Sequence, residues 1–233
     1  MTLDEFLNWV QAKCLLRNRT AAVNHAAAVM GLSAATLWDW VTGRSVITKN
    51  NLRHMEDLVR ENRLGLVERA EAFARRRHEG QVRKFTETPY AEHPAAVACL
   101  LSGYTGDDYL LAAAWLHDTM EDCGVTYDEL ADEFGPYVAS LVFQLTNDEA
   151  EKNFLGKVRY MVRKLRSLPP DALMIKLCDM LHNMTETRSR PQAEKYMKIL
   201  ESVTEKSPAA WNGVHEQLAA RIREVYAGKS FSK

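Results

Sequence analysis

The stretch Tyr109-Leu-Leu-Ala-Ala-Ala-Trp-Leu-His117-Asp118-Thr-Met-Glu121-Asp122 decides how the rest of this chain is interpreted. An almost wholly apolar run ends in an imidazole and three carboxylates. If the run continues as one helix, Glu121 lies four residues after His117 and Asp122 lies four residues after Asp118. The four polar groups then form two adjacent pairs on one side of the helix. Such groups at the end of a buried helix are costly unless something offsets their charge. A divalent metal ion would do so.

Two further segments carry residues that could complete a metal shell. His93 lies in Pro89-Tyr-Ala-Glu-His-Pro94, and Asp179 lies in Ile175-Lys-Leu-Cys-Asp-Met-Leu-His-Asn-Met184. Taken singly, His93 could be a structural histidine and Asp179 a solvated helix residue. Taken together with the His-Asp pair, they offer two imidazoles and two carboxylates, a set that suits Mn²⁺ or another first-row ion better than Ca²⁺. The predicted metal ligands are therefore His93, His117, Asp118 and Asp179.

Composition limits the class of protein. The chain has 233 residues, 46% of them hydrophobic, and a net charge of −1, so no general affinity for nucleic acid or an anionic membrane is indicated. Its four cysteines are far apart and form no CxxC pair, which argues against a disulfide framework or a thiolate zinc site. The acidic start is unlike a signal peptide, and no apolar run approaches membrane-spanning length. We therefore expect a reduced, cytoplasmic, soluble protein with no membrane partner.

Helical periodicity dominates the chain, and Gly and Pro fall between the predicted elements. Thr126-Tyr-Asp-Glu129 predicts a capping box that opens a short helix. Gly135-Pro136 ends that helix and begins the next, at residues 137–145. We predict an all-α protein with a small module over residues 1–65 and a larger domain over residues 66–233. The boundary falls in the charged stretch 59–68.

The first module has a pattern of its own. Residues 21–30, 31–33 and 34–41 predict a helix, a tight turn at Gly31 and a second helix with Leu37 in the core. This arrangement resembles the helix-turn-helix of phage-repressor-like DNA-binding domains, in which residues 33–38 would enter a major groove. The alternative is a helical module that packs on the rest of the chain or mediates homo-oligomer formation. DNA is only weakly supported as a partner, because residues 1–65 hold eight Lys/Arg against six Asp/Glu and Asp39 would repel phosphate.

Five motifs between residues 66 and 184 carry a family resemblance. They are His78-Glu-Gly-Gln-Val-Arg-Lys84, Pro89–Pro94, Leu116–Asp122, Phe134-Gly135 and Ile175–Met184. In this order they resemble the HD hydrolase domain of the RelA/SpoT homologues, in particular the small stand-alone alarmone hydrolases. The resemblance implies a helical, metal-dependent phosphohydrolase that acts on a nucleotide. The implied reaction removes the 3′-pyrophosphate of (p)ppGpp and leaves GDP or GTP.

The resemblance also implies roles for residues around the metal. Glu121 and Asp122 would orient or deprotonate the attacking water, and they would titrate as a coupled pair. The alternative is an ordinary acidic helix end, although carboxylates are electrostatically unfavourable near a helix C-terminus. His78 and His182 are expected to be structural. The implied substrate-binding residues are Arg83, Lys84, Asn183, Lys157 and Arg159, of which Arg83 suits bidentate recognition of phosphate.

The chain departs from the long bifunctional relatives just after Asp179. Those enzymes typically carry arginines at the positions of Met180 and Thr185, and this chain adds a carboxylate at Glu186. The change removes positive charge near the expected pocket. The sequence therefore indicates phosphohydrolysis more strongly than it indicates a guanosine alarmone as the substrate. Hydrolysis of another nucleotide, such as NADPH or an adenosine alarmone, stays open. So does a DNA-binding regulator whose HD pocket only senses a nucleotide.

Overall fold

A computed structural model describes residues 2–13, 18–63, 65–83 and 87–231, and the described residues form fifteen α-helices. The chain divides into two compact units, Met1–Gly65 and Leu66–Lys233. A single antiparallel bridge pairs Val82 with Pro89, and the described ranges contain no longer strand. Within those ranges, no helix combines the length and the hydropathy needed to cross a bilayer.

The N-terminal unit contains α1 (Leu3–Lys13), α2 (Arg19–Val29), α3 (Ala34–Val41) and α4 (Lys49–Arg63). Helix α1 packs on α2 and α4, and α2 packs on α3. Gly31 takes a left-handed φ of 65° in the turn before α3, a conformation that costs glycine little. Leu37 is fully buried, whereas Trp40 is only partly buried against the same core. The helix and turn positions agree with the sequence prediction, and the helix-turn-helix interpretation itself stays a prediction.

The second unit is built from eleven helices in the described residues. They are α5 (Leu66–Arg77), α6 (Glu92–Ser102), α7 (Asp108–Leu116), α8 (Thr119–Cys123), α9 (Tyr127–Phe134), α10 (Pro136–Leu145), α11 (Glu149–Leu155), α12 (Lys157–Ser167), α13 (Pro170–Glu186), α14 (Arg190–Glu205) and α15 (Gly213–Ala227). Helix α13 packs against α6, α7, α10, α14 and α15. Its central position explains why most of its residues are buried, including Asp179 and Lys176.

The start of α9 and the boundary between α9 and α10 were predicted correctly. The Thr126 side chain accepts a hydrogen bond from the Glu129 backbone at 3.2 Å and caps α9. Gly135 ends α9, and Pro136 occupies the first turn of α10, where a missing N–H costs nothing. Helix α7 begins where the Asp107 side chain accepts from the Tyr109 backbone at 2.8 Å. These caps fix the ends of the helices that approach the polar cluster.

The predicted continuous helix through residues 117–122 is wrong. Helix α7 ends at Leu116, two turn residues follow, and α8 starts at Thr119. Thr119 Oγ1 donates to the Leu116 carbonyl at 2.7 Å, and Asp118 adopts φ −99° and ψ −4°, away from ideal helical values. As a result, Glu121 and Asp122 lie in the first turn of a new helix. The helix dipole there favours carboxylates, so the argument from an unfavourable C-terminus does not apply.

Candidate metal centre and substrate cavity

Eight of the eleven predicted site residues line a single cavity of about 360 Å³. Its walls come from the loop before α6, from α6, α8, α12 and α13, and from α14. The predicted residues on these walls are Arg83, His93, Asp118, Glu121, Asp122, Lys157, Asp179 and Asn183. His117, which is 2% exposed, lies directly behind Asp118. Helices that are distant in sequence therefore bring the motifs together.

The four predicted metal ligands converge at one end of this cavity. One ligand atom each from His93, His117 and Asp179 lies within 4.8 Å of the other two. Asp118 joins them, with its Oδ2 3.1 Å from His117 Nε2 and 3.5 Å from His93 Nε2. His93 Nε2 also lies 3.2 Å from Asp179 Oδ1. Two imidazoles and two carboxylates thus point their ligand atoms at a common region.

Surrounding groups fix the orientation of the two imidazoles. His117 Nδ1 is 2.8 Å from the Ala114 carbonyl, a bond that assigns the proton to Nδ1 and turns Nε2 toward the carboxylates. His93 Nδ1 is 2.8 Å from His182 Nδ1, so one ring donates to the other. His182 therefore supports His93 from behind, which is the structural role expected for it.

Burial and charge shape the titration of the cluster. Burial alone would lower the pKa of His117, but the charges of Asp118 and Asp179 outweigh it and raise that pKa to about 8. Burial alone would raise the pKa of each carboxyl group, yet the pKa of Asp118 is held well below its usual range by His117. The pKa of Asp179 is lowered chiefly by the charge of Lys176. Both carboxylates are ionised at neutral pH and favour positive charge beside them.

The cluster fits a divalent cation. His117 Nε2 is buried and, among the described residues, has no hydrogen-bond partner, although a carboxylate oxygen lies only 3.1 Å away. A buried nitrogen left without a hydrogen bond is costly, and an ion held by that nitrogen would satisfy it. The donor set of imidazole nitrogen and carboxylate oxygen suits a first-row divalent metal. The residues present therefore form a candidate metal site.

The acidic pair lies beside this cluster, at the cavity wall. Both oxygens of Glu121 accept hydrogen bonds from Asn147: Oε2 from the backbone nitrogen at 3.1 Å and from Nδ2 at 2.9 Å, and Oε1 from Nδ2 at 3.1 Å. Burial and the nearby charges of Asp118 and Glu121 raise the pKa of Asp122, and the Tyr90 hydroxyl only partly offsets them. Glu121 is thus held in one orientation, while the pKa of Asp122 is raised above its usual value.

The opposite end of the cavity is organised around Arg83. Its Nε and Nη2 atoms donate to Glu186 Oε2 at 3.1 and 2.5 Å, and Nη2 also donates to Asn183 Oδ1 at 2.9 Å. Asn183 Nδ2 in turn donates to Asp179 Oδ1 at 2.5 Å. Burial alone would lower the pKa of Arg83, but Glu186 raises it, so the guanidinium stays charged. Asn183 therefore connects the two ends of the cavity through its amide.

The remaining predicted substrate residues are placed differently. Lys157 lines the cavity, and its pKa is lowered by burial and by the positive charges of Lys195 and Lys152. Arg159, two residues further along α12, instead lines a separate surface depression with Arg163. Lys84 lies outside the described residues. The structure thus brings Lys157 to the candidate site and leaves Arg159 away from it.

Three further cavity residues contact the predicted site residues. Lys176 is buried and its Nζ lies 2.8 Å from Asp179 Oδ2; a lysine inside an apolar helical run, three residues before a predicted ligand, was a usable signal. Tyr90 donates to Asp118 Oδ2 at 2.7 Å and lies beneath the Arg83 guanidinium. Asn147, which holds Glu121, follows α10 with no pattern around it. Nothing in the sequence pointed to that residue.

Comparison with known proteins identifies the family. The family profile described as HD domain matches residues 70–205. Human guanosine-3′,5′-bis(diphosphate) 3′-pyrophosphohydrolase MESH1 is 38% identical over 140 residues, covering 58% of this chain and 77% of MESH1. The bifunctional (p)ppGpp synthase/hydrolase SpoT of Escherichia coli K12 is 34% identical over 166 residues, covering 66% of this chain and 23% of SpoT.

A solved structure supports the same relationship. It is that of a metazoan orthologue of SpoT, described as hydrolysing ppGpp, and it matches with a TM-score of 0.58 and 26% identity over 70% of this chain and 94% of the other. The chain spans about a fifth of the length of the long relatives that it matches. The resemblance and the all-α fold predicted from the sequence are both confirmed. The chain belongs to the HD-domain family, as a homologue of the hydrolases SpoT and MESH1.

Proposed function

We propose that this chain is a metal-dependent hydrolase that removes the 3′-pyrophosphate of (p)ppGpp, leaving GDP or GTP. The observation that carries the proposal is the meeting, in one cavity, of the His/Asp cluster, the acidic pair and the cations Arg83 and Lys157. Metal-assisted hydrolysis of a phosphate ester uses these three elements: a metal site, a base and counter-charges. The names of MESH1 and SpoT describe this activity for those proteins.

The metal would be held by His93, His117, Asp118 and Asp179, and Mn²⁺ is our proposed ion. When bound there, it would make water more acidic and offset negative charge on the phosphate. The chain prepares this site in advance, because each ligand is oriented by a further contact. Such supporting contacts typically hold ligand geometry and affinity, and here they come from Ala114, His182, Tyr90, Lys176 and Asn183.

The acidic pair would manage the proton of the attacking water. In the proposed reaction, water oxygen bonds to the phosphorus attached to the 3′ oxygen, and the bond between that phosphorus and the 3′ oxygen breaks. One proton of the water passes to the acidic pair, which passes a proton on to the 3′ oxygen, so that this oxygen leaves as a hydroxyl and pyrophosphate is released. Asp122 suits proton acceptance because its pKa is raised, whereas Glu121 is held by Asn147 and suits orientation of the water.

The cations at the cavity walls would bind the phosphates of the substrate. The cavity is lined by Lys152, Lys157 and Lys176, and by Arg83, which donates a hydrogen bond to Asn183. Lysine supplies point charges, and arginine supplies a planar pair of donors that matches phosphate oxygens. A nucleotide with phosphates at two positions of one ribose fits this arrangement. We extend the proposal to Lys84, and not to Arg159.

The decisive experiment is turnover by the purified full chain with Mn²⁺ and a panel of nucleotides, with products separated by chromatography. We expect pyrophosphate and GDP from ppGpp, and pyrophosphate and GTP from pppGpp. Chelation of the metal should stop both reactions. Cleavage of NADPH or an adenosine alarmone, with ppGpp untouched, would leave the chemistry in place and refute the substrate. Absence of turnover with every nucleotide would favour a nucleotide-sensing protein.

For the N-terminal unit we propose a separate domain over residues 1–65 with a role in assembly rather than tight DNA binding. The small excess of positive charge supports this, and so does Asp39, which pairs with Arg44 at 2.8 Å at the end of α3. A guanidinium already paired with a carboxylate offers less charge to a phosphate backbone. A gel shift of the full chain on duplex DNA at low salt tests the proposal. A tight, sequence-specific complex would refute it.

A further inference from the structure

Glu186 occupies the edge of Arg83 on which an oxyanion would bind. Both Nε and Nη2 of the guanidinium donate to one oxygen, Oε2 of Glu186, and Nη2 is shared with Asn183. The Nε–Nη2 edge is one of the two forked edges through which arginine binds carboxylate or phosphate. The side chains of this pair are 15% and 22% exposed, so water screens the pair less than a surface ion pair.

Glu186 also has a neighbour on its other side. Its Oε1 atom lies 3.8 Å from His182 Nε2, and His182 contacts the metal-site residue His93. The carboxylate therefore stands between the imidazole that supports the metal end and the guanidinium at the other end.

The carboxylate nevertheless faces ligand space. Glu186, Arg83 and Asn183 line a second, smaller cavity of about 270 Å³ beside the main one, together with Gln192 and Tyr196. Arg83 and Asn183 border both cavities, whereas Glu186 borders only the smaller one. A phosphate that approaches Arg83 thus meets a guanidinium that is already neutralised, next to a carboxylate that repels it.

We propose that Glu186 is a specificity-determining residue that competes with the phosphate of a nucleotide for Arg83. The inference rests on the proposed function, because it takes Arg83 as a phosphate-binding group of that site. A phosphate that binds the Nε–Nη2 edge of Arg83 requires the Glu186 pair to open, so the carboxylate weakens every ligand that places an anion on that edge. A ligand that presents a neutral donor, such as a hydroxyl or an amino group, can instead donate to Glu186 without opening the pair.

A double-mutant cycle measured by binding separates competition from other effects. The probes are ppGpp and inorganic pyrophosphate, titrated by calorimetry into the full chain with a chelator present, so that no turnover intervenes. The variants are Glu186→Gln, Arg83→Gln and the double variant, with Glu186→Thr as a second replacement if the first does not fold. Glu224→Gln is the matched control, because Glu224 pairs with Arg221 at 2.9 Å on an exposed face of α15.

Glu186→Gln should tighten binding of both probes by on the order of 5-fold, the effect of a partly exposed ion pair, and Glu224→Gln should not change it. In the Arg83→Gln background the same replacement should have little effect, because no guanidinium remains to compete for. An equal gain in both backgrounds would mean direct repulsion and would overturn the proposal. So would unchanged or weaker binding by Glu186→Gln, or no binding of either probe to any form.

The proposed function can fail separately. If wild type with Mn²⁺ leaves ppGpp intact while pyrophosphate binding shows the Arg83-dependent gain, the substrate assignment is wrong and the competition stands. If ppGpp is hydrolysed but the cycle shows no coupling between residues 83 and 186, the function stands and the competition is refuted.

Discussion

The two ends of the cavity differ in how their buried charged groups are partnered. At the metal end, two carboxylates and two imidazoles crowd together, and a buried nitrogen of His117 with no hydrogen bond among the described residues faces ionised carboxylates. At the other end, Glu186 and Asn183 already accept hydrogen bonds from Nε and Nη2 of Arg83. A cation therefore adds to the first end, and an anion must exchange for a partner at the second.

The difference teaches where binding energy arises. Adding an ion to a prepared shell gains the full interaction, because few existing bonds are lost. Exchanging one ion-pair partner for another gains only the difference between the two. Changes at the metal end should therefore have large effects on activity, and changes at the Arg83 and lysine walls should have moderate effects on KM.

The largest effect is expected from removal of a metal ligand. Asp118→Ala or His117→Ala should abolish turnover and lower Mn²⁺ affinity by more than about 100-fold, since even supporting contacts are worth 10–100-fold. Activity assays and metal content after dialysis measure the two losses. Asp132→Ala, at an exposed position of α9, is the control. A His117→Ala protein that kept its metal and full activity would refute the ligand assignment.

The next effect separates chemistry from metal binding. Glu121→Gln and Asp122→Asn keep the side-chain volume but remove the basic carboxylate, so kcat should fall by on the order of 10²-fold or more. Metal content should change little, because the four ligands remain. Loss of metal from both variants would instead make these carboxylates ligands, and the acidic pair would belong to the metal end.

A stability effect should appear in the metal-free protein. The folded pKa of His117, about 8, is above its unfolded value, so its contribution is complete below the unfolded pKa and declines as pH rises toward 8. The contribution of His117 to the free energy of unfolding should fall by about 1 kcal/mol between about pH 6 and about pH 7.5. Burial lowers the pKa of His182, so that group acts with the opposite sign, and the contribution of His117 is the difference between wild type and His117→Gln. Asp118 and Asp179, with lowered pKa values, contribute constantly in this window.

Urea unfolding after chelation measures this dependence, and His117→Gln should flatten it. The window stops short of pH 8 because burial lowers the pKa of Lys164 to about 8, and that lysine acts with the opposite sign at higher pH. Saturating Mn²⁺ should remove the decline, since metal binding requires a neutral imidazole. A slope that survives in His117→Gln would assign the titration to another group.

The smallest effect compares two cations on α12. Lys157→Met should raise KM for ppGpp by roughly 5-fold, the loss of one partly screened charge on a phosphate. Arg159→Met should leave KM unchanged, because Arg159 lines a different depression. Steady-state kinetics of both variants gives the comparison. An equal rise in KM for Lys157→Met and Arg159→Met would mean that Arg159 also contacts the substrate. That result would require α12 to move when the substrate binds.

The sequence predicted the chemistry of the site better than its supporting contacts. His93, His117, Asp118 and Asp179 could be proposed as ligands because donor types and motif order are local properties of a chain. The helix break after Leu116 was missed because the apolar run before it contains no residue that signals a helix end. The break is accompanied by a hydrogen bond from the Thr119 hydroxyl to the Leu116 carbonyl. The pairing of Arg83 with Glu186 was missed too. It joins residues 103 positions apart, and only the folded chain shows that they meet.

The spacing of polar residues along helix α13 fixes the distance between the metal end and the Arg83 end of the cavity. Lys176, Asp179, Asn183 and Glu186 follow one another at intervals of three, four and three residues, so they form one stripe along the helix. Asp179 and Glu186 are two turns apart, about 10 Å along the axis. A single inserted residue between them would rotate everything beyond it by about 100° and detach Arg83 from the metal end. Insertions should therefore be tolerated in the loops around this helix and not within the stripe.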